Sequence, residues 1–203
     1  AQLLHCAPKE LFFTSGGSEA DNQALLSAAA IGRQQGKRHI ISTAMEHHAI
    51  LHTLEALDEQ GFTVTLLRPQ KDGIVTAAQV AAALTDETCL VSVMYANNET
   101  GAIQPIKEIG ALCRQRGVLF HTDAVQAAGH VDIDVQRDNI DMLSLSAHKF
   151  HGPKGVGLLF AKSSIQLTSL IRGGGQERGK RAGTENLPGI VGLAAAFKDA
   201  QEQ

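Results

Sequence analysis

Lys149 stands in the stretch SLSAHKFHGPKG, residues 144–155, where two lysines and two histidines share a short, glycine-punctuated turn after an apolar run. Lys154 lies inside Gly-Pro-Lys-Gly, turn chemistry in which an exposed lysine is ordinary. Lys149 directly follows the apolar run, between His148 and Phe150. Desolvation and nearby cationic groups there would favour its neutral, nucleophilic form. Four other clusters carry residue types of chemical interest. TSGGS (14–18) combines glycines, which permit close backbone approach, with the start of a helical pattern, whose free N–H groups attract phosphate or carboxylate. A capped tight turn would read the same, and the stretch matches neither G-x-G-x-x-G nor a Walker loop. MEHHA (45–49) offers His47 as a face-on partner for a flat ligand, or simply a polar helix start. ANNETG (96–101) offers amide donors, Asn98 among them, or a plain turn. Asp123 and Gln126 follow the apolar VLFH; the acid there is either a helix cap or a counter-charge for a cationic ring nitrogen.

These clusters need elements to hold them. Apolar runs at 10–14, 39–43, 62–67, 88–95, 118–121, 142–145 and 156–160 read as strands. The intervening patterns read as helices over about 19–35, from Ile50 through Leu57, over 76–84, from Pro105 to near Gly117, and from Leu187 onward. Alternation of this kind, with continuously apolar strands, predicts an α/β domain: a three-layer α/β/α fold with a mainly parallel sheet covered on both faces. In such a sheet ligands bind at the carboxyl ends of the strands, and all five clusters fall there. The segment GGGQERGKRAG, 173–183, is glycine-rich and basic and reads as a mobile loop.

Composition narrows the function classes. With 43% hydrophobic residues the 203-residue chain can bury a core; with 4% aromatics and no Trp, small aliphatic side chains must build it. A net charge of −3 gives no electrostatic reason to expect nucleic acid or an anionic membrane surface. No apolar run is long enough to span a bilayer. The start AQLLHCAPKELFF lacks the basic region of a signal peptide. It also lacks an initiator Met, which suggests a piece of something longer. Cys6, Cys89 and Cys113 are odd in number and far apart, with no C-x-x-C pair to suggest zinc. They read as free thiols in a reducing, cytoplasmic setting.

Taken together, a phosphate cradle, a ring stacker, an acid, an amide donor and a lysine at the strand ends of one sheet fit pyridoxal 5'-phosphate. Lysine would anchor it, the acid would keep the pyridine nitrogen protonated, and helix-end N–H groups and hydroxyls would hold the phosphate.

In this order, TSGGSEADNQAL, MEHHAI, YANNETGAIQP, HTDAVQAAG, SLSAHKFHGPKGVG and GGGQERGKRAGTEN resemble the cysteine desulfurases of the NifS/IscS type. These are fold-type I pyridoxal phosphate enzymes related to the class V aminotransferases. The resemblance implies a PLP-dependent transferase-like large domain over residues 1–203, with Lys149 as the Schiff-base lysine and proton carrier. It implies that Asp123 pairs with the pyridine nitrogen, Gln126 bonds the ring oxygen, and His47 stacks on the ring and assists proton transfer. Gly17, Ser18, Ser146, Ala147 and His148 would lie at the cofactor, most of them on its phosphate. Asn98 would sit near the substrate. Thr184 would reach the phosphate in a neighbouring subunit, implying a homodimer with shared active sites.

The implied reaction converts L-cysteine to L-alanine. The sulfur passes to an enzyme cysteine persulfide, and then to an acceptor such as an iron–sulfur scaffold or a tRNA-thiolation protein. In the family that nucleophile is a loop cysteine well beyond the lysine, followed by a small domain that supplies an arginine. No cysteine follows Lys149 among the 54 residues after it. The chain is therefore expected to be the cofactor-binding part, holding pyridoxal phosphate at best weakly and unable alone to complete sulfur transfer. Alternatives are a selenocysteine lyase, a class V aminotransferase, an α/β module binding a phosphorylated ligand, or a non-catalytic scaffold subunit of the same fold.

Overall fold

A computed structural model describes residues 1–202. Its strands are β1 (Leu11–Thr14), β2 (His39–Thr43), β3 (Thr63–Leu67), β4 (Thr88–Ser92), β5 (Leu119–Asp123), β6 (Met142–Ser146) and β7 (Gly157–Ala161). Its helices are α1 (Gly17–Gln34), α2 (His48–Glu59), α3 (Ala77–Ala83), α4 (Ile106–Arg116), the single irregular turn α5 (Gln176–Gly179) and α6 (Leu187–Gln201). All seven strands join one sheet in the order β1-β7-β6-β5-β4-β2-β3. Neighbours from β6 through to β3 are parallel, and β7 runs antiparallel to both β6 and β1. The sheet is therefore mainly parallel, with one reversed strand.

Side chains that alternate along each strand separate the two faces. Ile40, Leu90, Met142 and Leu159 pack with the buried side of α1 and α2. Their neighbours Ile41, Val91, Leu143 and Phe160 pack with α4 and α6. Helix α1 lies close over the middle of the sheet because Ala20, Ala24 and Ala28, four residues apart, form its buried stripe. Filling both faces this way is the largest stabilising contribution, about 1.5–3 kcal/mol for each fully buried large side chain.

Most boundaries differ from the sequence expectation by one or two residues, and two of the differences bear on the site. β4 leaves the ladder at Ser92 rather than Tyr95. Beyond it Val93 and Tyr95 still donate to the carbonyls of His121 and Asp123 (3.2 and 2.8 Å), while the end of β2 turns to β3 through Ala44 N–H and Leu67 O (2.9 Å). β5 runs to Asp123, so the acid is the last residue of the strand rather than one just past it. The 173–183 segment is tied down rather than loose. Arg181 Nε donates to Glu19 Oε1 at 2.9 Å, Arg178 lies 4.2 Å over the Phe12 ring, and Gln23 Nε2 donates to the Lys180 carbonyl at 2.9 Å.

Candidate active site

The carboxyl ends of β1, β2, β4, β5 and β6 open into one cavity of about 270 Å³. Its lining includes Gly17, Ser18, His47, Asn98, Asp123, Gln126, Ser146, His148 and Lys149. Nine residues singled out from sequence thus converge on one space, although they come from five separate stretches of chain. Ala147 is buried in the turn behind it, its N–H donating to Val156 O at 3.1 Å. Thr184 is exposed and lines a separate, smaller cavity of about 60 Å³ with Arg181 and Asn186. Lys154 sits in an exposed turn outside both.

Local chemistry explains each position. No side chain caps the start of α1, so its first-turn N–H groups are left for a ligand. A Cβ on Gly17 would fall 2.6 Å from Val125 Cγ2, so glycine is needed for that turn to close against the end of β5. Ser146 Oγ lies 3.0 Å from His148 Nδ1, directly beside the same turn. His47 is the N-cap of α2: its Nδ1 accepts from Ala49 N–H at 3.1 Å. That bond fixes the ring's orientation and leaves Nε2 as the free nitrogen. Asn97, not Asn98, builds the turn after β4, accepting at Oδ1 from Glu99 N–H and Thr100 N–H (3.0 and 2.9 Å). Asn98 is thereby left exposed on the cavity wall.

Asp123 Oδ1 accepts from Val125 N–H at 2.9 Å. Burial pushes its carboxyl above the usual range, while that bond and the charges of His47 and Lys149 pull it down. Lys149 is exposed. The burial expected of its amine from its place after an apolar strand is therefore absent, because the 3-10 turn Ala147–Phe150 turns Phe150 inward and Lys149 outward.

Sequence reasoning missed three buried polar residues: Asp21 in the lining, and His121 and Glu46 behind it. Asp21, also part of the lining, is 1% exposed, and its Oδ1 has no partner. Its signal is an acid set beside Ala20 and Ala24 on the buried side of α1. His121 is fully buried between Ser92 Oγ (2.9 Å from Nδ1) and Ser144 Oγ (3.0 Å from Nε2), and burial pushes it down to about 3, so it is neutral. Glu46 accepts at Oε1 from Thr43 Oγ1–H (2.7 Å) and Met94 N–H (2.9 Å), and burial pushes it up to about 8. Nothing in the spacing of MEHHA marks it.

Burial disfavours the nucleophilic thiolate form of all three cysteines. Cys89 and Cys113 are buried and pushed up to about 11 and about 12, and the half-buried Cys6 is raised by the same desolvation. No described helix is long and apolar enough to cross a membrane.

The donor set fits a flat, phosphorylated, nitrogen-containing ring such as pyridoxal phosphate. An uncapped helix start and a hydroxyl suit the phosphate, a histidine ring and an acid suit the heterocycle, and an accessible amine lies beside them. Comparison with known proteins agrees. The profile described as Aminotransferase class-V matches residues 1–203. Cysteine desulfurase IscS of Clostridium botulinum (strain Hall) is 57% identical over 202 residues, covering 100% of this chain and 51% of that protein. Cysteine desulfurase IscS of Methanosarcina thermophila is 53% identical, covering 97% of this chain and 48% of that protein. Among solved structures, a NifS-like protein superposes with a TM-score of 0.95 at 41% identity, over 100% of this chain and 56% of its own. A structure titled SspA in complex with cysteine gives 0.93 at 44% identity, over 98% and 57%. The chain spans about half the length of the curated relatives it matches.

Proposed function

Because the chain belongs to the class V aminotransferase family, we propose that it is the cofactor-binding part of a cysteine desulfurase, acting on L-cysteine with pyridoxal phosphate. The observation that carries this reading is the convergence of Lys149, Asp123, His47, Ser146 and the uncapped start of α1 on one cavity. Names of relatives, cysteine desulfurase IscS above all, support the substrate.

Pyridoxal phosphate, when bound, withdraws electrons from the substrate α-carbon and so stabilises the carbanion left by proton loss. The residues of this chain do the rest. Lys149 is the covalent anchor and carries the proton taken from that carbon. Its exposure on the cavity wall suits an amine that must swing between cofactor and substrate. Asp123 supplies the negative charge that holds a proton on the ring nitrogen. Gln126 bonds the ring oxygen, His47 covers the ring face, and Asn98 faces the substrate. Gly17, Ser18, Ser146 and His148 hold the phosphate, with Ala147 fixing the turn beneath them.

The thiol that receives sulfur as a persulfide lies outside these 203 residues, whose own cysteines are buried or half-buried with raised values. We read residues 1–203 as the large domain and the whole protein as a cytoplasmic homodimer in which Thr184 completes the neighbour's site. The sulfur goes to an iron–sulfur scaffold or a tRNA-thiolation protein, distinguished by following labelled sulfur from cysteine to each acceptor. The test of function uses the full-length polypeptide with L-cysteine. Wild type yields alanine and a protein persulfide, and Lys149→Ala lowers the rate by a factor of at least about 10². Amino transfer to a keto acid without alanine release would assign an aminotransferase instead. Turnover of selenocysteine alone would assign a lyase, and no turnover at all a scaffold.

A further inference from the structure

Asp21 is a buried acid with no role in the account so far. It sits on α1 one turn beyond Gly17, lines the cavity, is 1% exposed, and leaves Oδ1 without a partner. An unpartnered buried oxygen is costly as part of a carboxylate and less so when it carries a proton. Across from it lies His121 Nε2, 3.7 Å from Oδ1. Had that ring been charged, the two would form a buried ion pair. Burial keeps it neutral instead, and both its nitrogens already face serine hydroxyls, Ser92 on β4 and Ser144 on β6. His121 therefore brings no charge to Asp21. The acids nearby are Asp123 on β5 and Glu46 after β2, and both repel a second negative charge. His47, Lys149 and His148 line the same cavity, and His47 and Lys149 favour charge on Asp123. The cavity floor thus holds two acids with unequal support: Asp123 has a backbone donor and cations opposite, while Asp21 has only the neighbouring Ser144 hydroxyl.

We propose that Asp21 is the proton partner of Asp123, a positioning residue that carries the proton of the acid pair so that Asp123 stays the single negative charge facing the ring nitrogen. Asp21 takes the proton onto Oδ1 from solvent hydronium: one O–H bond forms on Asp21, one O–H bond of hydronium breaks, and water is left. Two carboxyls that line one cavity and repel each other's charge share one proton and titrate in two separate steps belonging to the pair. The lower step is loss of the Asp123 proton and the upper step loss of the Asp21 proton. Above the upper step the ring nitrogen would face two negative charges, and the cofactor's own proton equilibrium would move with them. This deepens the reading that pyridoxal phosphate fills the cavity, but the acid pair itself can be read without cofactor.

The test is a carboxyl-carbon NMR titration of full-length protein with ¹³C-labelled aspartate, first without cofactor and then with pyridoxal phosphate. Wild type is expected to show two steps, the upper one above the ordinary carboxylate range. Asp21→Asn, which keeps the shape of the neutral acid, should abolish the upper step and leave the Asp123 step nearly in place. Ser144→Ala, which removes the group that favours ionised Asp21, should move the upper step higher. In the loaded protein, Asp21→Asn should shift the pH at which the cofactor absorbance changes relative to wild type, since the second negative charge can no longer form beside the ring. Persistence of the upper step in Asp21→Asn, or a single ordinary step for both acids in wild type, overturns the proposal. If wild type shows both steps but takes up no pyridoxal phosphate, the acid pair stands and the cofactor reading fails.

Discussion

At the scale of single residues, the site is defined as much by which groups are kept neutral as by which are charged. Glu46 illustrates this. Burial raises its carboxyl to about 8 in the folded chain, against about 4.3 in an unfolded one. Between those values the folded state holds a proton that the unfolded state has released. The contribution of Glu46 to stability is therefore complete below the unfolded value and is lost as pH rises through the folded one. Glu46→Gln cannot ionise and escapes this loss. Its stability relative to wild type is expected to rise by a few kcal/mol between about pH 4.5 and about pH 9, read from urea unfolding at each pH. A difference that stays flat across that range would mean Glu46 is not held protonated. Which of the two lysines lines the cavity was legible at this scale, because Lys149 follows a strand and Lys154 sits inside a Gly-Pro turn. The exposure of Lys149 was not, because it depends on which way a four-residue turn rotates.

At the scale of elements, the site depends on α1 starting in the right place, and Gly17 and Gly157 decide that. Gly157 opens β7 directly against the TSGGS turn: a Cβ there would fall 2.6 Å from Gly16 Cα. Gly157→Ala should cost about 1–3 kcal/mol and weaken phosphate binding by pushing the turn away, as measured by thermal unfolding and cofactor titration. Gly175→Ala, with nothing within 4 Å of the added carbon, is the matched control and should change neither. Equal effects of the two changes would contradict a packing role for Gly157. The elements themselves were readable from continuous apolar runs and helical spacing, and the sheet puts the carboxyl ends of β1, β2, β4, β5 and β6 where the α/β rule places a ligand. Asp21 escaped because an acid on an alanine stripe shows only that something polar is buried. Which strand the stripe lies over is set by the packing of α1 on β5 and β6. The 173–183 segment was misread for a similar reason. Its composition is that of a loose loop, yet Arg181 and Glu19, which hold it, are 162 positions apart in sequence, beyond any local pattern.

At the scale of the whole molecule, the described residues form one sheet with helices packed on both faces and a site open at one end, matched to relatives about twice the chain's length. Thr184 lies outside the main cavity of its own chain, which suits a residue that serves a neighbour. If sites are shared, subunits bearing Lys149→Ala mixed with subunits bearing Thr184→Ala should recover one tight cofactor site per heterodimer, since one of the two sites then draws intact residues from both chains. No recovery on mixing would place Thr184 outside the neighbour's site. The most direct test of the account is chemical. Full-length protein loaded with pyridoxal phosphate is reduced with borohydride, digested, and the modified peptide sequenced. The predicted label is on Lys149, retained in Lys154→Arg and lost in Lys149→Arg. Label on Lys154 or another lysine, or bound cofactor that takes no label at all, would contradict it.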